Sequence, residues 1–241
     1  MFKMLNKVKS ILSKNKAISI VSAIILIFTI TMGVSTYFEM QKNKMIEQIK
    51  SAQEVKDRNI SKLYYEIESD LVIGNKNAPV TIIEYASLSC PHCANFYNKV
   101  FDKIEERYIE TGKVKFIYRD FPLNQSALLA SVISKCKLKM DNNVEQYYKF
   151  VKTLFKNQNS WAFEEDIVEK LRSLSILNGL NSNKFTQCMN DKELVESILE
   201  ERMRSSQELK IQSTPTFIIN GNLIGGYHDF ESFEEAIEAE L

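Results

Sequence analysis

Two cysteines separated by two residues, in Cys90-Pro91-His92-Cys93, sit where a strand pattern gives way to a helix pattern, and no other stretch restricts the fold as tightly. Before them, Val80-Thr81-Ile82-Ile83-Glu84-Tyr85-Ala86 is a β-branched run with strand character. Pro91 suits the first turn of a helix, where a backbone N–H would have no partner. After it, Phe96, Val100, Phe101, Ile104 and Tyr108 recur at helical spacing up to a Thr111-Gly112 stop. A pair so spaced can cycle between dithiol and disulfide. At the helix N-terminus the first cysteine meets free N–H groups and the positive end of the dipole, which favour thiolate over thiol.

The same spacing also makes half of a zinc site. A second knuckle is missing. Cys136 and Cys188 stand alone within helical patterns, and the other histidine, His228, is far along the chain. The pattern therefore reads as redox rather than metal.

Where such chemistry operates is set by the N-terminal segment. The chain has 31 basic and 31 acidic residues, but its first 38 carry five lysines (Lys3, Lys7, Lys9, Lys14, Lys16) and no acid. Beyond them the balance is acidic, and nothing suggests a nucleic-acid partner. Residues 17–38 hold no charge, and 22 such positions make a helix of about 33 Å, enough to span a bilayer. Lysines ahead of the apolar stretch leave the N-terminus cytoplasmic and send the rest outward. A cleavable signal peptide with Gly33-Val34-Ser35 as its small-x-small site would give the same topology. The stretch is long for a signal, so an uncleaved anchor is the expectation. Either way the cysteine pair faces a compartment where disulfides persist.

Residues 39–69 turn charged and read as a stem, with Met45, Ile46, Ile49 and Ala52 as a thin helical stripe on a solvated spacer. Gly74 to Pro79 marks a turn at the start of the folded part. Val114, Phe116 and Tyr118 alternate against Lys115, Ile117 and Arg119, a strand with one strongly apolar face. From Leu123 to Ile211 there is no proline and one glycine, Gly179, so this stretch should be a helical block. Thr214-Pro215 opens a last strand, Asn220-Gly221-Asn222 is a type I′ hairpin signal, and Phe230, Phe233 and Ile237 stripe a short C-terminal helix.

This order, with its CPHC junction and its Thr-Pro before the hairpin, resembles the α/β thioredoxin-like fold with an inserted helical domain, and in particular the DsbA-like disulfide oxidoreductases of the bacterial envelope. The divisions it implies are 1–38 for the basic terminus and anchor or signal, 39–69 for the stem, 70–122 and 212–241 for the two parts of the thioredoxin-like domain, and 123–211 for the insertion. By that resemblance Cys90 attacks and is attacked, and Cys93 is the buried resolving partner. His92 tunes the Cys90 thiolate; the alternative is an ordinary first-turn surface histidine. Glu84 is a buried acid that exchanges a proton with Cys93; the alternative is an edge-strand glutamate facing water. Pro215 is cis, and Thr214 beside it lines the contact with an extended substrate segment.

The resemblance further implies oxidation of reduced exported proteins in the periplasm, with a quinone-linked membrane protein as reoxidant and with no metal or organic cofactor. An isomerase or reductase on the same fold, and a non-catalytic envelope binding module, remain the alternatives. Cys136 and Cys188 leave three options, namely a structural disulfide, two inert thiols or a second relay, and an oxidising compartment favours the first.

Overall fold

The computed structural model describes residues 28, 31–51 and 64–241. The chain divides into two units, Met1–Arg58 and Asn59–Leu241. In the first unit residues 31–51 are helical and exposed, the apolar Met45, Ile46 and Ile49 included. No helix of the described residues is long and apolar enough to cross a membrane. The expected anchor over 17–38, and its signal-peptide alternative, fall largely outside those residues, as does Ala52 of the stem.

The second unit is built on a five-stranded sheet in the order β1-β3-β2-β4-β5. Its strands are β1 (Val72–Gly74), β2 (Val80–Ala86), β3 (Val114–Asp120), β4 (Thr216–Ile219) and β5 (Asn222–Gly225). β2 lies in the middle, parallel to β3 and antiparallel to β4. A parallel pair needs a crossover, which α1 (Pro91–Lys99) and α2 (Phe101–Ile104) supply, followed by a π-turn over Glu105–Ile109. The sequence reads as one helix here. It bends instead at Val100, whose backbone is at φ −121°, although no proline or glycine marks the place. All five stripe residues from Phe96 to Tyr108 are nonetheless buried.

Between β3 and β4 stands the helical block: α3 (Gln125–Asp141), α4 (Val144–Lys156), a 3-10 turn (Gln158–Ser160), α5 (Ile167–Leu177), α6 (Ser182–Met189) and α7 (Lys192–Glu208). Asparagine or aspartate side chains cap α3, α4, α6 and α7 at Asn124, Asn143, Asn181 and Asp191. These caps start helices without help from proline. Cys136 of α3 and Cys188 of α6 are joined in a disulfide, Cα to Cα 5.5 Å, and both are buried. The hairpin after β4 has Asn220 at φ 45° and Gly221 at φ 89°, the two left-handed positions of a type I′ turn. The chain ends in α8 (Phe230–Glu238), whose Phe230, Phe233 and Ile237 are buried.

Both faces of the sheet are covered. Val80, Ile82 and Ala86 of β2 join the larger core with α1, α4 and α8, whereas Ile83 and Tyr85 join a smaller one with Ile117, Ile218, Leu209 and Ile211. That second core explains why β3 differs from its sequence reading. The face opposite its strongly apolar one holds Ile117 and Arg119, and both are buried. Arg119 is tied there by Asp70, with Nε donating to Oδ1 at 2.9 Å and Nη2 to Oδ2 at 2.6 Å, and by the Tyr85 hydroxyl at 2.5 Å. The ordered unit thus takes in residues that the sequence assigned to the stem: Tyr64 packs on the second core, and the Tyr65 carbonyl accepts from Arg119.

Candidate active site

Cys90 is the N-cap of α1 and Pro91 its first residue. β2 ends at Ala86, so the short turn Ser87-Leu88-Ser89 brings the strand's end directly to the helix's positive terminus. The turn is fastened from the helical block. Gln158 Nε2 donates to the carbonyls of Leu88 at 2.8 Å and Cys90 at 3.0 Å, and Ser89 Oγ donates to Asn124 Oδ1 at 3.0 Å.

The groups around Cys90 favour the thiolate. The largest effect is the hydrogen bond from the Cys93 thiol; the Thr214 side chain and the backbone N–H groups of Cys93 and His92 act the same way, against partial burial. Together they lower the Cys90 pKa to about 5. The Thr214–Pro215 bond is cis, and the Thr214 carbonyl lies 3.2 Å from Cys90 Sγ, accepting from the thiol. The Thr214 hydroxyl is buried with no partner at hydrogen-bonding distance.

Cys93, one turn into α1, is fully buried, and both active-site cysteines are free. Burial pushes its thiol well above the usual range, and the bond it donates to Cys90 and the neighbouring Glu84 carboxyl push the same way. The two sulfurs, three residues apart, are therefore driven in opposite directions. One is an anion at neutral pH and the other holds its proton.

Glu84 lies beneath them on the central strand, between Tyr118 of β3 and Phe217 of β4, with no solvent exposure. Burial raises its carboxyl pKa well above the ordinary range, the Tyr97 hydroxyl opposes this, and the Cys90 charge adds to it. Neither carboxyl oxygen, nor the Tyr97 hydroxyl, has a partner at hydrogen-bonding distance. A carboxyl so buried is held toward its protonated form.

Cys90, Cys93, His92, Glu84, Thr214 and Pro215 are thus brought together. The His92 side chain is exposed at the helix start, and what Cys90 receives from this residue is its backbone N–H. His228 stands apart, its Nε2 3.1 Å from the Gly225 carbonyl. The Cys136–Cys188 disulfide belongs to the helical block. Among the described residues no group of three or more His, Cys, Asp or Glu could hold a metal. Gln158 was not among the residues the sequence singled out; a lone glutamine in the polar run Lys156-Asn157-Gln158-Asn159-Ser160 gives no local sign of contact with a turn 68 residues away.

A family model described as thioredoxin matches residues 66–239. Among solved structures the chain is similar to alpha-DsbA1 of Wolbachia pipientis, with a TM-score of 0.69 and 33% identity over 74% of this chain and 94% of that one. It is also similar to oxidised BdbD of Bacillus subtilis, with a TM-score of 0.64 and 28% identity over 73% and 94%. A Rickettsia felis protein provisionally named a protein-disulfide oxidoreductase is 28% identical over 201 residues, which are 83% of this chain and 66% of the relative. The chain therefore spans just under two thirds of that relative's length.

Proposed function

Because the chain belongs to the thioredoxin family, and within it to the DsbA-like proteins, we infer that it is a thiol-disulfide oxidoreductase that introduces disulfides into exported proteins. What carries the oxidising direction is the placement of Cys90 at the N-cap of α1, where the Cys93 thiol and the backbone N–H groups of His92 and Cys93 lower its pKa to about 5. A thiolate this stable favours the reduced enzyme, which makes the Cys90–Cys93 disulfide a strong oxidant.

In the reaction a substrate thiolate attacks Cys90 Sγ, a substrate–Cys90 bond forms and the Cys90–Cys93 bond breaks. Cys93 leaves with the electron pair and takes a proton, for which the neutral Glu84 carboxyl is the source; Glu84 recovers its proton from solvent. A second substrate thiolate then attacks the substrate sulfur of the mixed disulfide and expels Cys90, which leaves readily because it is a stabilised anion. The substrate is oxidised by two electrons and the enzyme reduced by two. Thr214 and Pro215 beside Cys90 offer backbone against which an extended substrate segment can pair. His92, exposed at the helix terminus, gives the thiolate its backbone N–H.

Turnover requires an oxidant for the dithiol, by family resemblance a quinone-linked membrane protein. The enzyme works in the bacterial periplasm, held at the inner membrane through residues 17–38 if that segment is retained. Equilibrating the purified protein in glutathione buffers, with thiols counted by mass spectrometry, tests the reading. An oxidase equilibrates well above the roughly −270 mV of thioredoxin, and Cys90 alkylates rapidly at mildly acidic pH. A thioredoxin-like potential would point to a reductase, and a Cys90 inert to alkylation at neutral pH to a binding module.

A further inference from the structure

Resting on the reading of Cys90 as the reactive thiol, we propose that Gln158, supplied by the helical block, is a positioning residue that sets the acidity of Cys90 and hence the oxidising strength of the enzyme. Its amide is buried, and its single –NH2 group spans the two carbonyls that flank the active-site turn, Leu88 at 2.8 Å and Cys90 at 3.0 Å.

The second of these contacts is the telling one. A carbonyl oxygen has two lone pairs. At Cys90 one accepts from the Ala94 N–H at 3.1 Å, the first hydrogen bond of α1, and the other from Gln158. The plane of the Cys90–Pro91 peptide is thereby fixed from both sides. That plane determines whether Cys90 Sγ meets the N–H groups of His92 and Cys93, two of the donors that lower its pKa. Pro91 has no N–H with which to help hold the turn. Ser89, whose hydroxyl reaches Asn124, secures the preceding residue but neither carbonyl.

Gln158 is in turn held by its own surroundings. Its 3-10 turn follows α4, whose Phe155 stacks on Tyr97 of α1 with ring centroids 4.2 Å apart. Trp161 immediately after the turn donates Nε1–H to the Leu154 carbonyl at 2.9 Å. The insertion therefore grips α1 at two points, by ring stacking one turn below the cysteines and by the Gln158 amide at their mouth. Redox tuning is divided between the two parts of the molecule: the thioredoxin-like part carries the sulfurs and the insertion sets the backbone that stabilises one of them.

The test uses the full chain in three forms. In Gln158→Met, which keeps the length and removes both donors, the Cys90 titration followed by thiolate ultraviolet absorbance rises by about one unit, the loss expected for one hydrogen bond at a charged group. The equilibrium with glutathione shifts by about tenfold toward a weaker oxidant. Gln158→His, which retains one donor at similar reach, recovers part of both shifts. Trp161→Phe, which loses its bond to Leu154 but leaves both turn carbonyls held, melts at a lower temperature with the Cys90 titration unchanged. If Gln158→Met does not fold, Gln158→Asn, one methylene short of both carbonyls, gives the same readings. An unchanged titration in the Gln158 variants, or an equal shift in Trp161→Phe, overturns the proposal. The parent protein separates the two ideas, since a Cys90 without acidic character there removes the oxidase reading itself, whereas an acidic one with indifferent Gln158 variants removes only the role of Gln158.

Discussion

As the proposed proton source for Cys93, Glu84 would serve chemistry at the expense of stability. Its folded pKa is raised, so the folded state binds a proton at pH values where the unfolded chain has released it, and stability falls as pH rises above about 4. Glu84→Gln removes that decline. The two proteins should melt alike near the pH where glutamate is neutral, with the variant increasingly ahead toward neutral pH in calorimetric scans. The same variant cannot supply a proton to Cys93, so the step in which Cys93 leaves should slow by about 10²-fold, read as mixed-disulfide formation in stopped flow. Cys90 has the opposite sign. Its folded pKa is depressed to about 5, so it stabilises the reduced protein above the ordinary thiol pKa and loses that contribution as pH falls through about 5. Reduced protein should melt above oxidised at neutral pH, and the gap should shrink on acidification through that value. Of these residues, both cysteines were legible in their two-residue spacing, a local pattern, whereas the buried acid at Glu84 was expected only from the family resemblance. Gln158 was not, because its role depends on a contact made across the fold.

At the level of elements, β3 and β1 mark where local patterns mislead. The alternation in β3 marked one strongly apolar face and left Arg119 on the other, yet a strand inside a sheet covered on both faces buries every second residue as well. Its charge is acceptable there only because Asp70 pairs with it through two hydrogen bonds. The three-residue β1 was too short to read as a strand, and it places its neighbours in the domain by pairing with β3. Asp70→Asn should destabilise the protein by about 3–5 kcal/mol, since it strands a buried guanidinium. A double change, Asp70→Asn with Arg119→Met, should restore part of the loss in urea titrations, which an exposed pair would not do. The Asn220-Gly221 hairpin, by contrast, was legible, because it is fixed by residues next to one another in the chain.

Across the whole molecule, the arrangement of strand, helix, strand, helical block, hairpin and helix followed from the order of the patterns, while the packing of the block against α1 did not. The pairing of Cys136 with Cys188 was one of three options in the sequence. In the fold it clasps α3 to α6 across 52 residues. Replacing both by serine should lower stability by about 4 kcal/mol in the loop-entropy picture, with the Cys90–Cys93 potential nearly unchanged. Mild reduction of the parent should expose two thiols before the other two. Four thiols appearing together would instead mean that the pairs exchange. The clasp also bears on how the protein is supplied. A newly made copy has four thiols and needs, for its own helical block, a disulfide of the kind that the proposed oxidase would make in others. If it is the oxidase proposed above, finished copies supply the bond that the next ones need, and a cell emptied of the protein should refill slowly at first and then faster as finished copies accumulate.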